Sequence, residues 1–174
     1  MGLFDQLSSV LQQYANSSAS GQPNPQVNEH FDQVAQAAPS SALADGLAAA
    51  FRSNSTPDFG QMLGSMFNQS NGEQKAGILN QLLASGGPAL LAQLGGAGGG
   101  LAALLGGGSQ LSPQQASQVS PEVVQQLAAH AEKSDPSLID KASTFYSEHP
   151  ALIKTLGGAA LTIAMAKMAQ KTNS

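Results

Sequence analysis

An all-α fold is what this chain predicts, on three observations. Apolar residues recur once per helical turn, Ser, Asn and Asp next to Pro mark helix starts, and no β-branched alternation argues for a sheet. The 174 residues suffice for one domain or two small ones, and for a core built without disulfides, since cysteine is absent.

The elements follow in chain order. Leu3, Phe4, Leu7, Val10, Leu11 and Tyr14 share one helical face, and the helix stops in the polar stretch "NSSASGQPNP". Asn24 and Pro25 read as N-cap and first residue of a second helix, with Val27, Phe31, Val34 and Ala38 inward and Pro39 as its stop. A third restarts at Ser40 or Ser41 and sets Leu43, Leu47 and Phe51 one turn apart. Thr56 and Pro57 open a fourth, faced by Phe59, Met62, Leu63, Met66 and Phe67. The fifth begins with Ser70 and Glu73 at capping-box spacing and ends at Gly86, the residue type that turns left-handed at least cost. Beyond the glycines, Ser112 with Gln115, Ser120 with Pro121, Asp135 with Pro136, and Pro150 mark four further starts. The boundaries expected are an N-terminal helical bundle over 1–85, a glycine-rich joint over 86–110 and C-terminal helices over 111–171.

The joint holds the most unusual composition. Residues 84–108 contain ten glycines and six leucines without a charge. A membrane-spanning helix is disfavoured, because each glycine costs about 1 kcal/mol against alanine while each leucine returns only about 0.3 to 0.6 kcal/mol on insertion. A phosphate cradle is disfavoured too: Leu101 stands where a GxGxxG pattern needs glycine, and no lysine lies between Lys75 and Lys133. Two readings stay open. Either "PALLAQL" and "LAALL" are helical turns that cover the bundle with glycine hinges between them, or Leu90, Leu91, Leu94, Leu101, Leu104 and Leu105 stay exposed and bind another molecule.

The last helix raises the same choice. Between Lys154 and Lys167 it is mostly apolar on every side, which normally means burial in its own protein. Twelve uncharged residues from Thr155 to Ala166 rise only about 18 Å, too short to span a bilayer. The competing reading takes Leu152, Ile153, Leu156, Ile163, Met165 and Met168 as a surface for a partner or, with the three lysines, for anionic lipid.

Charge and chemistry narrow the function. Charged residues make up 10% of the chain, net −4, against about 25% in ordinary proteins. Only the segment from 149 onward is cationic, so nucleic acid is not an expected partner. The N-terminus shows no export signal, Asp5 standing where a basic n-region would be, so the expected location is cytoplasmic, with membrane association as the variant. His30, His130 and His149 lack metal-ligand spacing and read as helix-surface residues, and no GxSxG elbow occurs. No catalytic residue, cofactor or metal is therefore expected.

The opening "MGLFDQL", followed by a helix, resembles the start of the YidB-like family, small bacterial proteins of unknown function. The likeness covers the first handful of residues, and the later Gln-, Leu- and Gly-rich helices share its flavour. It implies a helical fold and supplies no active residues. The function expected is non-enzymatic interaction or self-assembly, with a protein partner or a second copy bound through the leucine, isoleucine and methionine positions named above. The alternative is a peripheral membrane protein anchored by the last helix.

Overall fold

A computed structural model describes residues 2–17, 25–93, 99–106, 108 and 110–172, with the side chains of these apart from residues 3, 4, 17, 87–93, 99, 101, 102 and 172. The fold is all-α: among the described residues there are eleven α-helices and no strand. They are α1 Leu3–Ser17, α2 Val27–Ala37, α3 Ser40–Phe51, α4 Phe59–Gln69, α5 Gly72–Gln93, α6 Gly99–Leu105, α7 Pro113–Ala116, α8 Pro121–Ser134, α9 Leu138–Ser147, α10 Pro150–Ile153 and α11 Gly158–Thr172. A 3-10 turn, Lys154–Leu156, follows α10.

Helix starts differ from the expected ones where side-chain bonding is more local than the pattern suggests. The capping box expected at Ser70 and Glu73 lies one residue later: Asn71 N–H donates to Gln74 Oε1 at 3.0 Å and Gln74 N–H to Asn71 Oδ1 at 2.9 Å. Ser70 instead finishes α4, its hydroxyl donating to the Met66 carbonyl at 2.7 Å. Thr56 likewise closes α3 rather than opening α4, donating to the Ala50 and Ser53 carbonyls at 2.6 and 3.0 Å. Helix α2 begins at Val27 behind a turn at Pro25 and Gln26, and the expected cap at Asn24 lies outside the described residues. At Ser112 the expected box is present in both directions.

Two glycines redraw longer elements. Gly86 does not end α5, which runs on to Gln93. A glycine closes a helix by turning left-handed, and among the described residues positive φ occurs at Gly106 and Gly157. The single helix expected from Pro150 is broken there, Gly157 taking φ 89° between the 3-10 turn and α11. The joint over 86–110 is thus partly helical, holding the end of α5 and all of α6.

The helices form two compact units whose limits differ from the three segments the composition suggests. One comprises 1–57 with 143–174, the other 58–142. In the first unit α11 packs on α1, α2 and α3, closing a core around Tyr14, Phe31, Leu47, Leu161 and Met165. The tail belongs with the N-terminal helices because its all-round apolar surface needs walls on several sides. In the second, α8 packs on α4 and α5, and α7 on α5, around Leu63, Phe67, Leu79, Leu82 and Leu127.

Glycine sets how close these helices come. A Cβ on Gly46 of α3 would lie 2.6 Å from the Ala164 carbonyl oxygen of α11. On α4, a Cβ at Gly60 would lie 2.7 Å from the Gln125 carbonyl oxygen, and one at Gly64 would lie 2.6 Å from the Gln125 side chain and 3.1 Å from the Pro121 carbonyl. Backbone oxygens cannot rotate aside. Alanine in place of a helical glycine gains about 1 kcal/mol of propensity, whereas overpacking a close seam costs about 1–3 kcal/mol. Gly46→Ala and Gly60→Ala are therefore expected to lose up to about 2 kcal/mol net in urea unfolding. Gly100→Ala in α6, where a Cβ meets nothing within 4 Å, is expected to gain up to about 1 kcal/mol.

Candidate interaction surface

The return from the joint is held by two amide side chains. Asn80, halfway along α5, grips Leu111: Leu111 N–H donates to Asn80 Oδ1 at 2.7 Å and Asn80 Nδ2 donates to the Leu111 carbonyl at 3.2 Å. Gln115 accepts from Ser112 N–H at 2.9 Å with its Oε1 and donates through Nε2 to the Leu104 carbonyl of α6. Leu111 itself is buried, so the segment is pinned by a side chain in the core as well as by these bonds.

Helix α6 lies between those anchors and carries no charge. Leu104 and Leu105 are half-buried, while Gly100, Ala103 and Gly106 are exposed. Gly106 ends the helix at φ 53°, and a Cβ there or at Gly100 would meet nothing within 4 Å. Of the other expected surface leucines, Leu90 and Leu91 lie in α5 and Leu101 in α6, with side chains outside the described set, and Leu94 lies outside the described residues.

The tail surface needs correction. Leu152, Ile153, Met165 and Met168 are 7%, 1%, 0% and 1% exposed, so they line the core of the first unit instead of facing a partner. Leu156 and Ile163 are half-buried. Two of the tail's three lysines are also engaged. Lys154 Nζ lies 2.7 Å from Asp32 Oδ2, and Lys171 pairs with Asp45.

Polar chemistry is sparse and dispersed. The Tyr14 hydroxyl, whose pKa is pushed up by burial, meets His30 Nδ1 at 2.9 Å with the rings edge to face. His149 stacks edgewise on Phe145, and His130 is exposed on α8. Among the described residues no three His, Asp or Glu side chains come together as a metal site would require. An open cleft of about 250 Å³ is lined by Ser40, Ser41, Ala44, Asp45, Thr144, Ser147 and Glu148, with hydroxyls and carboxylates but no histidine. Asp135 sits in a small network, accepting from Lys141 at 2.7 Å and from the Ser137 hydroxyl and N–H at 2.5 and 3.1 Å. Lys141 beside it holds the Asp135 carboxyl down at about 2.

No protein-family model, no curated protein and no solved structure matches this chain.

Sequence pattern found α6 as an uncharged apolar segment but not what fixes it. Asn80 and Leu111 are far apart in the chain, and no local spacing announces their pairing. Asn80→Ala leaves the Leu111 N–H buried without a partner, an expected loss of roughly 1–3 kcal/mol, with faster hydrogen exchange at Leu111 as the direct readout.

The Asp135 contribution has a definite sign. Its carboxyl is depressed below the ordinary 3.8, so the stabilisation is complete above that value and is lost as pH falls through about 2. Lys141→Met is expected to move the Asp135 carboxyl titration, followed by NMR, upward toward 3.8.

Proposed function

We propose that the protein is a non-enzymatic interaction or self-assembly protein that presents α6, through Leu104 and Leu105 together with the leucines the sequence offers at Leu90, Leu91, Leu94 and Leu101, to another protein or a second copy. The observation that carries this reading is an uncharged helix held at Leu104 by Gln115, with the chain after it held at Leu111 by Asn80, yet open at Gly100, Ala103 and Gly106. An apolar helix fixed in place at a surface gains free energy when another surface covers it. The scattered histidines and the absence of any catalytic motif in the sequence support a role without chemistry, and the opening that resembles the YidB-like family brings no active residue with it. A cytoplasmic setting goes with this reading, since a cysteine-free chain needs no oxidising compartment.

Membrane anchoring draws less support. No helix among the described residues is long and apolar enough to cross a bilayer. The tail's apolar side chains are internal, and Lys154 and Lys171 are paired with aspartates rather than left for lipid headgroups.

Sedimentation of the wild-type chain against a Leu104→Ser, Leu105→Ser variant tests the proposal. The variant is expected to associate at least about tenfold more weakly, the equivalent of about 1.4 kcal/mol, with unchanged helical circular dichroism. Identical sedimentation and identical co-purifying proteins for the two chains would overturn it.

A further inference from the structure

The chain contains one Asn–Gly pair, Asn71–Gly72, and it opens α5. The two positions answer to different contacts. Gly72 lies against α7: a Cβ there would stand 3.2 Å from the Pro113 carbonyl oxygen and 3.2 Å from the Ser117 hydroxyl, so this seam favours glycine. Asn71 caps the helix through its exchange of bonds with Gln74. Of the side chains that cap well, Ser, Thr, Asp and Asn, only asparagine carries an amide that can leave as ammonia.

That amide stands next to the backbone nitrogen best able to displace it. Glycine has no Cβ to shield its nitrogen or to restrict rotation of the backbone. Asn71 is exposed, and its bond from Gln74 N–H engages Oδ1, not the leaving Nδ2. Gly72 N–H lies in the first helical turn, where a helix offers no acceptor, and it has no bonding partner among the described residues. What restrains the pair is the capping box: the Asn71 side chain must turn away from Gln74 before its Cγ can face the Gly72 nitrogen.

We propose that Asn71 is a self-modification site, in which the Asn71–Gly72 linkage rearranges through a cyclic imide at a rate set by opening of the capping box. The Gly72 nitrogen bonds to Asn71 Cγ, the Cγ–Nδ2 bond breaks, and ammonia departs with the proton that Gly72 gives up. Water then opens the imide. Cleavage at Cγ leaves aspartate, whereas cleavage at the main-chain carbonyl leaves isoaspartate, and nothing is oxidised or reduced. Aspartate keeps an acceptor for Gln74 N–H and adds a negative charge where the helix dipole favours one. Isoaspartate inserts one carbon into the backbone directly before Gly72, at the seam with Pro113 and Ser117. The modification therefore loosens α7, whose Gln115 holds the Leu104 carbonyl of α6. The proposal goes beyond the surface reading and needs no partner for α6.

Ageing the full-length protein in mildly alkaline ¹⁸O-water tests it. Trypsin cuts after Arg52 and Lys75, so one peptide holds Asn71 with Asn54 and Asn68 as internal comparisons. Mass spectrometry is expected to find the ¹⁸O-labelled acid at residue 71, as aspartate and isoaspartate, ahead of both other asparagines. Conversion is expected to be at least about fivefold slower in the native chain than in guanidinium chloride, the factor that a cap of ordinary strength imposes on opening. Gln74→Ala is expected to speed the native reaction, and Asn71→Ser, which keeps a cap without an amide, to abolish it. No conversion at Asn71 in the native chain, equal conversion at Asn54 or Asn68, or equal native and unfolded rates would overturn the proposal. The effect on α7 is read by hydrogen exchange at Ala116 and Ser117, which bond to the Ser112 and Pro113 carbonyls. The aged fraction carrying the added charge is expected to show a population that exchanges faster than in freshly purified Asn71→Asp. Exchange identical to that variant overturns the loosening of α7. Association through Leu104 and Leu105 enters none of these readouts, so failure of the surface reading is seen separately.

Discussion

The close approach of helix backbones at Gly46, Gly60 and Gly64 is the constraint on which the rest of this structure depends. With aromatic residues only 5% of the chain, few large side chains are available to fill wide gaps between helices. The alternative is to bring backbones together and gain many small dispersion contacts, which requires positions without a Cβ. Ala164 and Gln125 supply the facing carbonyl oxygens, so these seams have backbone on at least one side and little room to shift. Tyr14, Phe31, Phe67 and Tyr146 then serve as a small number of fully buried anchors among leucine, alanine and methionine.

That constraint decides which apolar surface is left over. Seating α11 against α3 at Gly46 turns Met165, Met168, Leu152 and Ile153 inward, so the tail's greasy side is consumed by its own unit. Lys154 and Lys171 are drawn to Asp32 and Asp45 in the same packing. The surface argument therefore moves from the tail to α6, where Gln115 bonds the Leu104 carbonyl and Asn80 bonds the backbone of Leu111 beyond it, leaving Leu104 and Leu105 half open.

Much of the fold was legible because helical periodicity is local. The faces read at Val27, Phe31 and Val34, at Leu43, Leu47 and Phe51, and at Val124, Leu127 and Ala131 are the buried faces. Capping was legible where one side chain had one plausible job, as at Ser112, and was displaced where Ser70 and Asn71 competed for neighbouring backbone groups. Grouping of helices into units was not legible. It depends on which distant face fits a glycine seam, and Gly46 carries no mark that its partner is Ala164. Of the candidate surface, the uncharged leucine segment could be read from composition, while the tether through Asn80 to Leu111 is a long-range pairing with no local signature.

Native-state hydrogen exchange tests the central claim, that helices far apart in the chain close on one another at glycine seams to make each unit. Amides of α3 and α11 should open together with one free energy, and those of α4 and α8 with another or with the same global value. Exchange in which α1 through α5 opens as one block and α8 through α11 as a second would contradict it.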